Sequence, residues 1–590
     1  MGSKIIETFK CHCEERSDVA IQKRKRNWSA SLFSIARNGK IKLVILSFVF
    51  LCNLSLPIYA SEVTDLVRVG ITDNNFQNVL RQNVTLYATS DATICDKQSR
   101  RMLMNVPTDA DIIIKNNIAG LEVTVNGNTA LLRDFVIISP SGLLGIRDLK
   151  RKAMPALYHG AFELVQKPDH TGFYVVNLVE IQDYLKGVVP NEMPIKFGLE
   201  ALKAQAVAAR NYVLTPRVQA FEEFNVVDSV SSQVYFGANT ESDLATQAVL
   251  ETDGVVALYD DELILALYSS TAGGYTENYS NAFSDPKTKI FPSISKPYLV
   301  AVPDREDFYK LDDEQNAVEF YKSKVPSYDI ESPYYRWERI WAVGELENVL
   351  KKTLPIQSKT GFVSPIFNEK DNLGFIKDIK VMKRGESGKA IELDIMTTKG
   401  CWRISKELVI RRVFQKDNKS LPSANIVFEK NIDSEGNIID IKIYGGGYGH
   451  GVGMSQYGAG FLAKKMDQPY YNILRHYYTG ICLGTKPVDV RDQPVKQTFY
   501  APIGRAQIVL VGQIVPKFEV EINGKKEEFL VNKHFFQRQT KIDISRYIED
   551  GVNNIVFNPT VCPIKVYVEL VEAYEKNKCF DKGIELDDDD

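Results

Sequence analysis

Apolar and polar positions alternate along most of the chain in short runs, and the period of the alternation changes from section to section. Between Thr64 and Arg133, the runs Val67–Ile71, Val84–Tyr87, Ile112–Ile114 and Leu121–Val125 are separated by turn formers such as Asn126-Gly127-Asn128. That pattern predicts strands and hairpins. Leu157–Val165 and Phe173–Val179 predict two further strands, the second running on into Glu180-Ile181-Gln182-Asp183-Tyr184-Leu185. A loop bracketed by Pro190 and Pro194 follows, then a helix. At 100° per residue, Leu199, Leu202, Ala206, Ala209 and Val213 of that helix fall within an arc of about 80°, the stripe of a buried face.

Downstream, Glu241–Leu250 predicts a helix, and Gly254–Tyr259 with Leu263–Ser269 a hairpin. Helical and irregular text dominates from Pro303 to Leu354, including Val343–Leu350. Strands are expected at Phe375–Met382, Ala390–Met396 and Ile438–Tyr444, and helices at Ser405–Phe414 and Tyr470–Gly480. Beyond Pro487, strands at Ala506–Val511, Phe518–Ile522, Lys541–Ile544, Asn554–Phe557 and Lys565–Leu570 recur at the roughly 8–12-residue spacing of a small β-sandwich. Mixed elements without a βαβ rhythm indicate an α+β fold. The expected division is a leader (1–60), a β-rich N-terminal section (61–140), a catalytic domain (141–487), a β-sandwich able to bind glycan or a partner (488–575) and an acidic tail (576–590).

At 590 residues the chain exceeds one core, and 44% hydrophobic with 25% charged residues is the composition of an ordinary soluble protein. A net charge of −3 without a basic stripe after residue 60 excludes a dedicated nucleic-acid binder. The front of the chain changes this picture. Lys23-Arg24-Lys25-Arg26, Arg37, Lys40 and Lys42 precede an apolar run, Leu43–Leu56, that ends near Ile58-Tyr59-Ala60. These are the parts of a secretory signal, and the run falls short of the about 20 residues of a comfortable membrane span. Export with cleavage after Ala60 is expected, with a membrane anchor at 43–59 as the alternative. Cys11-His12-Cys13 supplies too few ligands for a closed zinc site, and Leu51 before Cys52 argues against lipid attachment there. Cys95, Cys401, Cys482, Cys562 and Cys579 are too sparse for a disulfide framework.

Two stretches carry candidate chemistry. In the first, Glu192 lies just ahead of the helix bearing Lys203, Gln205 and Arg210. The two cations border an apolar face and need partners, because unpaired charge is costly to desolvate. In the second, YGGGYGHGVGMSQYGAGFLA over Tyr444–Ala463, eight glycines surround His450. Neither a dinucleotide nor a P-loop pattern fits it.

Side by side, these stretches resemble the stage II sporulation protein D and amidase-enhancer family of bacterial cell-wall proteins. The matching text is YLKGVVPNEMP at Tyr184–Pro194, EALKAQAVAAR at Glu200–Arg210, GGYTE at Gly273–Glu277, LPSA at Leu421–Ala424 and GHGVGMSQYGA at Gly449–Ala459. The resemblance covers roughly residues 66 to 485. It implies a lytic transglycosylase acting on peptidoglycan glycan strands, preferably denuded of stem peptides, with Glu192 as acid/base and Arg210 as a catalytic-site arginine. It also implies substrate contact for Lys203, Gln205, Thr276, His450, Ser455 and Gln456. Tyr235, in a glutamine-x-tyrosine segment, is a candidate for the groove wall, and Glu277 is the reserve second carboxylate. Zinc-binding relatives use Cys and His near the GGYT loop; Tyr268-Ser269-Ser270-Thr271 stands there instead, so neither metal nor cofactor is expected.

Each residue has a plainer reading. Glu192 suits a carboxylate at a helix start, favoured by the dipole; Lys203 and Arg210 suit structural ion pairs, Gln205 a packed hydrogen-bonding position, and His450 a packed loop histidine. A single carboxylate nevertheless suits transglycosylation, since hydrolysis of a glycoside usually takes two. The rival functions are a non-catalytic glycan-binding enhancer of a cell-wall amidase and a hydrolase using Glu192 with Glu277.

Overall fold

The computed structural model describes residues 65–215, 222–502, 505–512, 516–531, 538–560 and 562–571, with the backbone alone of Ser61 and Glu62. The basic and apolar leader, Cys11-His12-Cys13, Cys52, Cys579 and the acidic tail lie outside these residues. The architecture is α+β, rich in sheet, as expected.

An eight-stranded sheet runs in the order Val226–Val227, Leu66–Gly70, Phe173–Glu180, Ala161–Gln166, Phe135–Ile138, Ala92–Asp96, Met102–Val106, with Leu80–Arg81 paired to the start of Phe173–Glu180. A six-stranded sheet contains Met154–Tyr158, Leu144–Arg151, Asn83–Ala88, Ile112–Asn117, Gly120–Val125 and Asn128–Leu132. Buried positions alternate with open ones along Asn83–Ala88, the period-2 signature of a half-buried strand. The expected strand Leu157–Val165 is two strands, because Gly160 turns the chain at a φ of +79°, where an added Cβ would lie 2.2 Å from the Leu178 carbonyl oxygen. The eight-stranded sheet crosses the boundary expected at residue 140.

Residues 181–192, expected to extend a strand into a loop, form a helix, Ile181–Glu192. Tyr184, Leu185, Val188 and Val189 are buried at helical spacing. Pro190 occupies the last turn, and Met193 N donates to the Val189 carbonyl at 3.0 Å to close the helix. Glu192 is therefore the last residue of one helix and not a loop residue at the start of another. The next helix, Leu199–Leu214, is buried nearly all round, at Ala201, Ala204, Ala206, Ala208 and Ala209 among others. Small side chains let the helices Ile181–Glu192, Asp243–Leu250, Gln456–Lys465 and Tyr470–Tyr477 pack directly on it.

Residues of the middle section form a second core of their own, including Trp341, Leu350, Leu354, Ile395, Ile404 and Ile410. It is built from the helices Val343–Ser358 and Glu407–Val413 with a three-stranded and a four-stranded sheet. This unit lies within the span expected as the catalytic domain, 141–487. Toward the C-terminus, a five-stranded and a seven-stranded sheet contribute inward residues to one core. The latter takes in Val255–Tyr259 and Cys482–Thr485, so strands from both sides of residue 487 share a sheet.

A buried ion pair fixes the loop that leaves Val226–Val227 toward the helix ending at Glu192. Asp228 accepts from Arg151 Nη2 at 2.6 Å and from Thr72 N and Oγ1 at 2.9 and 2.6 Å. Removing one partner of a buried pair strands the other charge, which costs ~3–5 kcal/mol. Asp228→Ala is expected to lose that much unfolding free energy in urea titration; a loss below about 1 kcal/mol would show that the pair does not hold the loop.

Candidate functional site

Glu192 ends its helix with the carboxyl half-buried. Oε1 accepts from the backbone N of Val234 at 2.6 Å, and the carboxyl also hydrogen-bonds the hydroxyl of Tyr268. That hydroxyl accepts from Gln233 Nε2 at 3.0 Å, and Gln233 Oε1 accepts from Tyr184 OH at 3.0 Å. Burial pushes the carboxyl up to about 7, against the opposing pull of Val234 N and Tyr268 OH. A helix C-terminus adds to the upward push, since its dipole disfavours negative charge. The dipole-favoured reading of Glu192 is thereby overturned.

The glycine loop arrives from the other side. Tyr268–Ser269 pairs in parallel with Met454–Ser455. Gly453 makes this approach possible: its φ is +73°, and a Cβ there would lie 2.1 Å from the Leu267 carbonyl oxygen. Ser455 Oγ caps the helix Gln456–Lys465 by accepting from Gly458 N, and it also accepts from Ala272 N at 3.3 Å. Gln456 Nε2 then donates to the Glu192 carbonyl at 3.0 Å and to Gln205 Oε1 at 3.1 Å. His450 lies behind this ladder. Its Nδ1 accepts from Val452 N at 3.0 Å and its ring hydrogen-bonds the backbone of Tyr268, while burial, with Lys389 and Arg411 nearby, draws it down to about 3. It is a neutral brace for the strand that carries Tyr268.

Residues 169–259, which hold Glu192, the helix after it and Val234, match the family described as SpoIID, Stage II sporulation protein. The chain carries a SpoIID domain. Residues 285–453 match a domain of unknown function (DUF8618) that includes the second core. An amidase enhancer of Bacillus subtilis is 31% identical over 303 residues, 51% of this chain, and the chain spans 40% of that protein's length. Stage II sporulation protein D of Bacillus subtilis is 29% identical over 321 residues, covering 52% of this chain and 74% of that protein. An uncharacterized protein of Brachyspira hyodysenteriae is 26% identical over 428 residues, covering 72% and 94% respectively.

Within the SpoIID domain and its neighbours, the residues expected in the site divide. Glu192, Gln205 and Gln456 are joined by hydrogen bonds, with Ser455 and His450 supporting them. Arg210 is elsewhere: Nη1 donates to the Val255 carbonyl at 2.9 Å and Nη2 to Gln182 Oε1 at 3.4 Å. Gln182 is ten residues from Glu192 on one helix, about 15 Å away along its axis. Burial lowers Arg210 to about 10, with Asp253 opposing. Lys203 pairs with Glu200 at 2.7 Å and Glu251 at 2.6 Å. Lys203 thus has the ion pairs of its plainer reading, whereas Arg210 is held by neutral acceptors with Asp253 as the nearby charge.

Tyr235 is fully buried and donates to Asn177 Oδ1 at 2.9 Å, so it does not line a groove. Burial alternates from Gln233 to Gly237, turning Gln233, Tyr235 and Gly237 inward and leaving Val234 and Phe236 on the open side. Thr276, also fully buried, bonds the backbone of Val300 and Val302. Glu277, 0% exposed, accepts from Asn278 N at 2.8 Å, Asn281 Nδ2 at 2.9 Å and Ser387 Oγ at 2.6 Å. It clamps the middle section, and its oxygens are committed there and not beside Glu192.

Tyr268 is the site residue that sequence reading missed. Strand period carries no signal for it: buried Leu267 and Ser269 flank a half-buried Tyr268, and the bond from Leu267 N to the Leu265 carbonyl interrupts the alternation. The hydroxyls of Tyr268, Ser269, Ser270 and Thr271 also form a poor donor set for zinc, which takes sulfur, imidazole or carboxylate ligands. Among the described residues, no cluster of three His, Cys, Asp or Glu could hold a metal ion.

Beneath the loop lie two fully buried carboxyls, Asp304 and Asp329. Ser327 Oγ bonds both, at 2.6 and 3.0 Å, and Asp329 Oδ2 accepts from Gly273 N at 2.8 Å. Burial and the Asp329 charge push Asp304 up to about 8. The unfolded carboxyl ionises near 3.8 while the folded one keeps its proton to about 8. Stability contributed by this proton is therefore fully present below about pH 4 and is lost as pH rises to about 8, at most ~1.4 kcal/mol per pH unit. Thermal melts are expected to show wild type losing more Tm between pH 5 and pH 8 than Asp304→Asn; equal losses would mean that Asp304 does not keep a proton in the folded protein.

Proposed function

We propose that this protein is a lytic transglycosylase that cleaves peptidoglycan glycan strands at N-acetylmuramic acid. The observation that carries the reading is a half-buried Glu192 poised near neutral pH, held by Val234 N and Tyr268 OH and attached through Gln456 to the glycine loop. A carboxyl of that kind exists in both protonation states near pH 7, which suits a group that gives and then takes one proton.

In this mechanism protonated Glu192 donates to the glycosidic oxygen as the bond from the muramic acid C1 breaks. The leaving sugar departs as an alcohol. The Glu192 carboxylate then takes the proton from the primary hydroxyl of the same muramic acid, whose oxygen closes on C1 to give the anhydro ring. No water is consumed, and Glu192 ends as it began. Tyr268 favours the carboxylate by donating to it, and Gln233 orients Tyr268. The leader, with its basic and apolar segments, supports export across the cytoplasmic membrane to this substrate.

A second reading is favoured by one finding, the similarity to a protein named amidase enhancer. Under it the chain would bind glycan and stimulate a cell-wall amidase without cleaving the strand. Mass spectrometry of denuded glycan strands incubated with wild type and Glu192→Gln decides between them. Anhydro-muramic products are expected from wild type, and about 10²–10⁴-fold less from the variant. Folded wild type that yields none would remove the enzyme reading, and reducing-end products would point to hydrolysis.

The acid role also fixes the pH dependence. Proton donation requires the protonated carboxyl, so activity should fall as pH rises through about 7. Tyr268→Phe deletes a hydrogen bond to the charged form and should move that alkaline limb to higher pH. An unmoved limb in the pH-rate profile would show that Tyr268 does not act on Glu192.

A further inference from the structure

Two aromatic rings and a cation that nothing above has used lie beside the segment whose backbone holds Glu192. Phe236 lies two residues beyond Val234, whose backbone holds Glu192, and both face the open side of the extended segment. Two extended residues advance the chain about 7 Å. The Phe236 ring meets that of Phe76, with centroids 5.7 Å apart.

Phe76 is 39% exposed and sits at a φ of +59°. A bulky residue in the left-handed region is strained, and such strain persists only where the surroundings impose it. Here they do. Phe76 N donates to the Asp73 carbonyl at 3.2 Å, and Asn74 ties the loop to the neighbouring hairpin through the Asp148 carbonyl and Lys150 N, at 2.8 and 2.9 Å. The Arg151 guanidinium backs the Phe76 ring at 4.4 Å. Lys152, exposed on the same hairpin, holds its ammonium 5.9 Å from the centre of the Phe236 ring, and among the described residues it has no ion-pair partner.

A hydrophobic platform bordered by an unpaired ammonium suits a sugar ring with an acidic substituent. The rings take the apolar face of the pyranose, and the ammonium takes the carboxylate. We propose that Phe76, Phe236 and Lys152 form a glycan subsite for an N-acetylmuramic acid whose lactyl carboxylate is free. That carboxylate is free only where the stem peptide has been removed, so the subsite selects denuded strands. The inference rests on the glycan-cleaving reading of Glu192 and extends it to residues 76 and 152, outside the matched SpoIID segment.

Binding separates this inference from the chemistry. In a Glu192→Gln background, isothermal titration would use denuded glycan strands, strands with stem peptides, and neutral N-acetylglucosamine oligomers. Lys152→Gln is expected to weaken binding of denuded strands at least fivefold and leave the neutral oligomers unchanged. Phe76→Gly is expected to weaken denuded strands and neutral oligomers alike, with no loss of Tm beyond a few degrees, because glycine accepts the φ that strains phenylalanine. If Phe76→Gly melts early, Lys152→Gln on its exposed turn carries the decision. Unchanged affinity for denuded strands in both variants would overturn the subsite, as would a Glu192→Gln protein that binds no glycan. Wild type that yields no anhydro products, with subsite-dependent binding intact in the Glu192→Gln background, would instead defeat the transglycosylase reading alone.

Discussion

One buried amide holds the site together. Gln456 Nε2 donates both to the Glu192 carbonyl and to Gln205 Oε1, joining the end of one helix, the middle of the next and the start of a third that follows more than 250 positions later. An amide suits this post because it is neutral and brings two donors to a place where charge would be expensive to bury. Ser455 caps the third helix immediately before it, so the amide is delivered by a fixed helix start and not by a free loop. The parallel ladder between Tyr268–Ser269 and Met454–Ser455 then sets Tyr268 at the height of the Glu192 carboxyl.

The electrostatics follow from what is kept away from Glu192. Lys203 is neutralised by Glu200 and Glu251, and Arg210 is turned to the far end of the adjacent helix. Either cation beside Glu192 would hold its carboxyl ionised. With both occupied elsewhere, desolvation outweighs the two hydrogen bonds, and the carboxyl stands near 7. His450 adds no charge either, because burial keeps its ring neutral. A motif that reads in sequence as a carboxylate among cations is, in space, a carboxylate separated from them.

Where local period decided the outcome, the sequence was legible. The alternating strands from Val67 to Val125 stand as the pattern predicts, and Leu199–Leu214 is the expected helix, though buried nearly all round and not along one stripe. The pattern failed where two periods overlap: Ile181–Leu185 continues a strand pattern, yet Val188 and Val189 are buried one helical turn further on. The helical outcome puts Glu192 at a helix end and not at a helix start, and so reverses the sign of the dipole acting on it. Glu192, Gln205 and Gln456 were legible as motif residues, but a motif does not say which members face one another. Tyr235 and Thr276 are packing residues, as their full burial shows.

The middle section bears on the site through buried polar contacts and not through apolar packing alone. Ser387 donates to Glu277 at 2.6 Å, and Lys389 donates to Asn425 Oδ1 at 2.6 Å while lying fully buried near His450. Asn425 Nδ2 in turn reaches the Ala272 carbonyl at 3.2 Å. Burial lowers the Lys389 ammonium, against the pull of Glu407 and Glu277, so its charge depends on carboxylates from both the middle section and the GGYTE segment. Breaking this cluster would leave a buried charge unpaired directly behind the glycine loop, at a cost of several kcal/mol. Electrostatic and hydrogen-bond contacts thus connect Glu277 and Lys389 through His450 to the backbone of Tyr268, whose hydroxyl meets Glu192.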